Sequence, residues 1–106
     1  MSEVATTKLF ENDRVIVWEM VLEPGERTGV HTHKRDYFFQ VLEGSTLRTV
    51  DENGQSLGDF DFKSGSTNWL DIDGDELVYG KLRVPAKHDA ENVGKQRYRE
   101  ILVELK

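Results

Sequence analysis

His31, His33 and His88 are the only three histidines in the chain, and their placement points to metal chemistry. His31 and His33 stand at i, i+2 within Gly29-Val30-His31-Thr32-His33. On an extended strand that spacing turns both imidazoles to one face. His88 follows Pro85-Ala86-Lys87 in the C-terminal half. A lone histidine is most often a hydrogen-bonded or surface residue. A His-X-His pair on a strand framed by turns, with a third histidine after a proline-bounded turn, favours ligation. Three imidazoles converging at about 2.0–2.2 Å suit Zn, Fe, Mn, Ni or Cu. With no cysteine in the chain, thiolate sites and disulfides are excluded.

A barrel can bring two such distant segments together across its interior, and the rest of the chain reads as strands. Val15 to Leu22 is β-branched and apolar and ends at the turn Glu23-Pro24-Gly25. Thr28 to His33 and Tyr37 to Leu42 follow as strands, then Ser45 to Val50 after Glu43-Gly44. Asn53-Gly54 is a strong hairpin signal. Beyond it, Leu57 to Lys63 alternates so that Phe60 and Phe62 share a face, and Thr67 to Ile72 resumes extended. Glu76 to Val84 reads as one further strand and Tyr98 to Leu105 as the last. No long window carries a 3.6-residue apolar period, and turn signals recur roughly every 8–12 residues, as in a sandwich or barrel. About nine strands in one small domain leave open edges unless the sheet rolls up, so an all-β jelly roll is expected.

A chain of 106 residues has room for one core. A net charge of −6 argues against nucleic acid or an anionic membrane as partner, because both need a basic surface. No apolar run approaches the ~18 residues of a membrane span. Met1 to Lys8 lacks the charged-then-apolar order of a signal peptide, so the cytoplasm is the expected location.

The pattern Gly25-(X)5-His31-X-His33-(X)3-Tyr37-(X)6-Gly44 resembles the first cupin motif, G(X)5HXH(X)3-4E(X)6G. His88-(X)3-Asn92 resembles the end of the second motif. The resemblance covers nearly the whole chain. It implies a cupin-type double-stranded β-helix over residues 10–106, with residues 1–9 as a flexible arm or an edge strand. It also implies a divalent transition metal (Fe, Zn, Mn or Ni) on His31, His33 and His88. A homodimer is a further implication, with the N- and C-terminal strands as candidate edges.

Two departures from the family pattern stand out. Tyr37 occupies the place of the motif glutamate, and a phenol of pKa near 10 is a poor ligand, so a packed aromatic is expected there. Asp36 beside it faces away on a regular strand unless a bulge turns it in. Between Gly65 and Pro85, residues 69–84 look like an added hairpin that extends a sheet edge, forms a dimer contact or covers the barrel mouth.

The functional expectation is a metal-dependent enzyme, dioxygenase-like or lyase/isomerase-like, acting on a small organic molecule. A non-catalytic binding or sensing module, or a structural dimerisation domain with vestigial histidines, are the alternatives. Tyr37 and Gln40 are candidate pocket residues, with Arg27, Arg48 and Arg83 behind them. Trp18 and Trp69 read as core or interface aromatics, and Glu91 as a solvent-facing carboxylate.

Overall fold

A computed structural model describes residues 3–106. The first two residues of the expected 1–9 arm lie outside the described residues. Among the described residues there is no helix and there are eleven strands. They are β1 (Thr7–Glu11), β2 (Val15–Leu22), β3 (His31–Thr32), β4 (Tyr37–Glu43), β5 (Ser45–Val50) and β6 (Ser56–Phe62). β7 (Thr67–Asp73), β8 (Glu76–Tyr79), β9 (Leu82–Pro85), β10 (Lys87–Asn92) and β11 (Tyr98–Leu105) complete the set.

Period-2 alternation decides which side chains enter the core. Ile16, Trp18, Met20 and Leu22 of β2 are buried while their neighbours are only half-buried. Tyr37, Phe39 and Val41 of β4 do the same. All strand pairings are antiparallel, and they make a seven-stranded sheet of order β1-β2-β11-β4-β7-β8-β9 and a four-stranded sheet of order β3-β10-β5-β6. The two sheets enclose the core as a jelly roll.

Three local expectations change. The strand expected over Thr28–His33 shrinks to β3, because Thr28 and Gly29 are tied instead to the Asp89 side chain. The strand expected over Glu76–Val84 is two strands, split where Gly80 adopts φ +59°, a backbone region that disfavours residues with a Cβ. The C-terminal strand β11 lies in the middle of its sheet, so the free edges belong to β1 and β9.

The 69–84 segment extends the seven-stranded sheet and also closes the core. Leu77 is completely buried, and Ile72, Tyr79 and Val84 pack on the central cluster. Asn92, from the second motif, is a structural knot. Its amide donates to the Leu22 and Gln96 carbonyls and its Oδ1 accepts from the Ser45 hydroxyl and the Gly94 N–H.

Candidate metal centre

Strand pairing sets the histidines face to face. β3 runs antiparallel to β10 with His31 directly opposite His88. His33 follows two residues later on the same side, its N–H donating to the Ala86 carbonyl at 2.9 Å. The three ring centroids lie 4.8–5.1 Å apart, and all three side chains are buried. One ring nitrogen from each falls within 4.8 Å of the others. Ligands bonded at about 2.0–2.1 Å in a tetrahedral site sit about 3.3–3.4 Å apart, so the rings would close in by up to about 1.5 Å to share one ion.

The surroundings also choose the nitrogens. His31 Nδ1 lies 2.9 Å from the Gly29 carbonyl, and His88 Nδ1 lies 2.7 Å from that of Pro85. A carbonyl only accepts, so each Nδ1 carries the proton and each Nε2 keeps its lone pair for the centre. His33 Nδ1 is buried with no hydrogen-bond partner among the described residues. Such orphans are rare in folded proteins, and a cation bound at that nitrogen would give this one a partner.

Asp89 braces the loop that holds His31. Its Oδ1 accepts the Gly29 N–H at 3.0 Å and the Thr28 hydroxyl at 3.2 Å, and its Oδ2 pairs with Arg27. The Gly29 carbonyl is thereby fixed for His31 Nδ1.

Burial drives all three histidines towards the neutral, ligating form. It lowers His31, takes His33 well below the usual range with help from the neighbouring rings, and puts His88 at about 4. The donor set is therefore three neutral nitrogens with no carboxylate, and these residues fit a divalent transition metal.

The histidines line a cavity of about 90 Å³ whose walls include Tyr37, Phe39, Phe60, Phe62 and Tyr79. That is several times the roughly 10–15 Å³ an ordered water needs. Tyr37 stacks on His33 at 4.4 Å between centroids, 16° from parallel. Burial, and then the Glu100 and Glu104 carboxyls, raise its pKa well above the ordinary phenol range, which keeps it a neutral packed aromatic.

The other expected pocket residues lie elsewhere. Gln40 points to the outer face, its amide donating to the Gly65 carbonyl and accepting from Thr67. Asp36 is turned to cap the Ile72 N–H at 2.8 Å. Arg27, Arg48 and Arg83 pair with Asp89, Asp59, and Asp73 with Glu76, and none lines the cavity. Trp18 is buried, its indole N–H donating to Glu104 at 2.7 Å, whereas Trp69 lies exposed against Phe38. The backbone of Glu91 bridges to that of Arg27.

One cavity residue has no counterpart among the sequence expectations. Glu100 is 2% exposed, and burial holds its carboxyl up at about 8. Its ordinary value is 4.5. Between those values the native state binds more protons than the unfolded one, so Glu100 makes stability fall as pH rises through that window. The loss is up to about 1.4 kcal/mol per pH unit and levels off above the native value. Glu100→Gln removes this dependence. Thermal melts should show the variant gaining on the wild type from near pH 5 to near pH 8. A constant difference across that range would contradict the assignment.

No protein-family model and no curated protein matches this sequence. Solved structures do. The chain is similar to a cupin domain from Bordetella pertussis, with TM-score 0.70 and 22% identity over 94% of this chain and 90% of that one. An RmlC-like cupin family protein from Methanocaldococcus jannaschii matches with TM-score 0.60 and 16% identity, covering 92% of this chain and 75% of that one. A sugar phosphate isomerase from a cupin superfamily, from Silicibacter pomeroyi, matches with TM-score 0.56 and 22% identity. There the alignment covers 89% of this chain but 52% of the other, about half its length. The double-stranded β-helix of the cupins is the fold of this chain.

Proposed function

We propose that this small cupin-fold domain binds one divalent transition metal on His31, His33 and His88 and acts as a metal-dependent enzyme on a small organic molecule. The observation that carries the reading is the convergence of three buried, neutral imidazoles, one of them with an orphaned Nδ1. Iron, zinc, manganese and nickel all suit the donor set. When bound, such an ion supplies Lewis acidity, and as Fe(II) it supplies dioxygen chemistry, without a carboxylate to offset its charge. The chain does the rest. Carbonyl-anchored His31 and His88 hold their tautomers, Tyr37 fixes the His33 plane, and the aromatic walls exclude water. Reaction types in keeping with this arrangement are dioxygenase-like and lyase- or isomerase-like.

Metal binding restricted to the folded state stabilises it by about 2.7 kcal/mol at a concentration of 100 Kd. For a domain of this size that raises the melting temperature by roughly 10–20 °C. Melts of chelator-treated protein, alone and with zinc, manganese or nickel restored, test this. An unchanged transition with every metal would remove the reading. Oxygen uptake by Fe(II)-loaded protein, and product analysis with the other metals, then separate an enzyme from a binding or sensing module that holds ligand without turnover.

The reading includes a cytoplasmic homodimer. Edge strand β1, with Leu9 and Phe10 more than half exposed, is the surface that favours self-pairing. Sedimentation of wild type against Phe10→Glu checks it, the variant being expected to shift towards monomer.

A further inference from the structure

The wall of the cavity contributed by β11 holds a polar group that metal binding leaves unused. The inward-facing residues of this strand are Tyr98, Glu100, Leu102 and Glu104, all buried. Each step between them is about 7 Å along the strand. Glu104 pairs in register with Tyr37, at the histidine end, and its Oε1 accepts the Trp18 indole N–H. Glu100 pairs with Val41, two inward positions further from the histidines. Its Oε1 accepts the Tyr98 hydroxyl at 2.6 Å, but its Oε2 is closed to solvent and has no partner among the described residues. Glu100 and the three histidines line the same cavity.

The chemistry of the lining restricts what can answer Oε2. No lysine or arginine lines the cavity, so an anion at the Glu100 end would be buried without a counter-charge. Because Oε1 already accepts, the acid proton belongs on Oε2. Burial keeps that proton in place at neutral pH. The level between Glu100 and Glu104, where Leu102 pairs with Phe39, is apolar, and Met20 stands opposite Glu100. A ligand that fits is anionic at the histidine end, where a metal would neutralise it. Its middle is a short hydrocarbon, and its far end is a neutral hydrogen-bond acceptor.

We propose that Glu100 Oε2 donates a hydrogen bond to the carbonyl of a short-chain oxo acid whose carboxylate sits at the histidine centre. Glu100 thereby sets specificity, and Tyr98 positions it. This inference rests on the metal reading above.

The test uses the zinc-loaded protein at neutral pH, with zinc content measured on the same samples. Calorimetric titrations compare 4-oxopentanoate with pentanoate and 5-oxohexanoate with hexanoate, so each pair differs by one carbonyl. The wild type should bind at least one oxo acid about tenfold more tightly than its alkanoate, the worth of one buried hydrogen bond. Glu100→Gln, whose amide still donates, should keep most of that preference. Glu100→Leu should lose it and bind the alkanoate no more weakly than before. Equal affinities within both pairs in the wild type, or a preference that survives in Glu100→Leu, would overturn the inference.

If Glu100→Leu does not fold, the side-chain carboxyl ¹³C resonance of Glu100 in the wild type replaces it. This signal should move on oxo-acid binding and stay in place with the alkanoate. A shift equal with both would overturn the assignment. Protein that takes up zinc but shows no preference refutes only the role of Glu100. Protein that takes up no zinc refutes the metal reading, and this inference with it.

Discussion

His88→Ala should lower zinc affinity by more than about 100-fold, beyond the 10–100-fold typical of losing a partner outside the coordination sphere. The size of the effect follows from the geometry. Among the described residues three nitrogens converge, Tyr37 keeps its proton, and Asp36 is committed to the Ile72 N–H, so none of the described carboxylates or phenols is poised to replace the lost ligand. The fold should survive, because the register of β10 against β5 involves Asp89 to Asn92 and not the imidazole. Calorimetric zinc titration of His88→Ala, with circular dichroism to verify the fold, checks both parts. An affinity within a few-fold of the wild type in folded protein would mean that His88 is not a ligand.

Gly44→Ala should destabilise the fold by about 3 kcal/mol or more. A Cβ at this position would lie 2.2 Å from the Phe62 carbonyl oxygen, 2.7 Å from the Ser64 nitrogen and 3.0 Å from the Lys63 carbonyl carbon. All three are backbone atoms, so no side chain can rotate away. Relief requires the junction of β4 and β5 to separate from the end of β6, where Ser45 pairs with Phe62. At roughly 4–8 °C per kcal/mol, the melting temperature should drop by more than about 12 °C, or the protein should not fold. A variant melting within a few degrees of the wild type would show that the β4–β5 turn is not tightly held.

Gly44 also illustrates what the sequence can and cannot convey. Its place at a turn was legible from Glu43-Gly44, and its place at the end of the first motif from the resemblance to the cupin pattern. The reason, a backbone passing too close for any Cβ, depends on β6 and becomes visible only in three dimensions. The histidines were similarly legible: an i, i+2 pair on a strand and a third beyond a proline turn do meet. Strands such as β2 and β5 were marked by their own composition and flanking turns.

The misreadings have tertiary causes. β3 is short because Thr28 and Gly29 are held by Asp89, some sixty residues away. Alternation cannot register that tether. Gln40 follows a buried Phe39 and takes the outward parity of β4, so an apolar run hid which face it shared.

Glu100 was concealed by its own strand. In Tyr98-Arg99-Glu100-Ile101-Leu102-Val103-Glu104, both parities mix charged and apolar residues. The usual rule sends the glutamates outward, yet they share the buried parity with Tyr98 and Leu102, while Ile101 and Val103 are only half-buried. Tyr98 two residues before Glu100 was the available hint, since its hydroxyl is what makes burial of that carboxyl tolerable.

X-ray absorption spectroscopy of the protein loaded with one equivalent of zinc tests the central claim most directly. The expected spectrum shows three imidazole nitrogens at about 2.0–2.1 Å, completed by one or more light oxygen ligands. Loss of one imidazole from the spectrum of His31→Ala would identify the site. A coordination shell made of oxygen alone, or an imidazole count unchanged in that variant, would contradict a metal centre built from His31, His33 and His88.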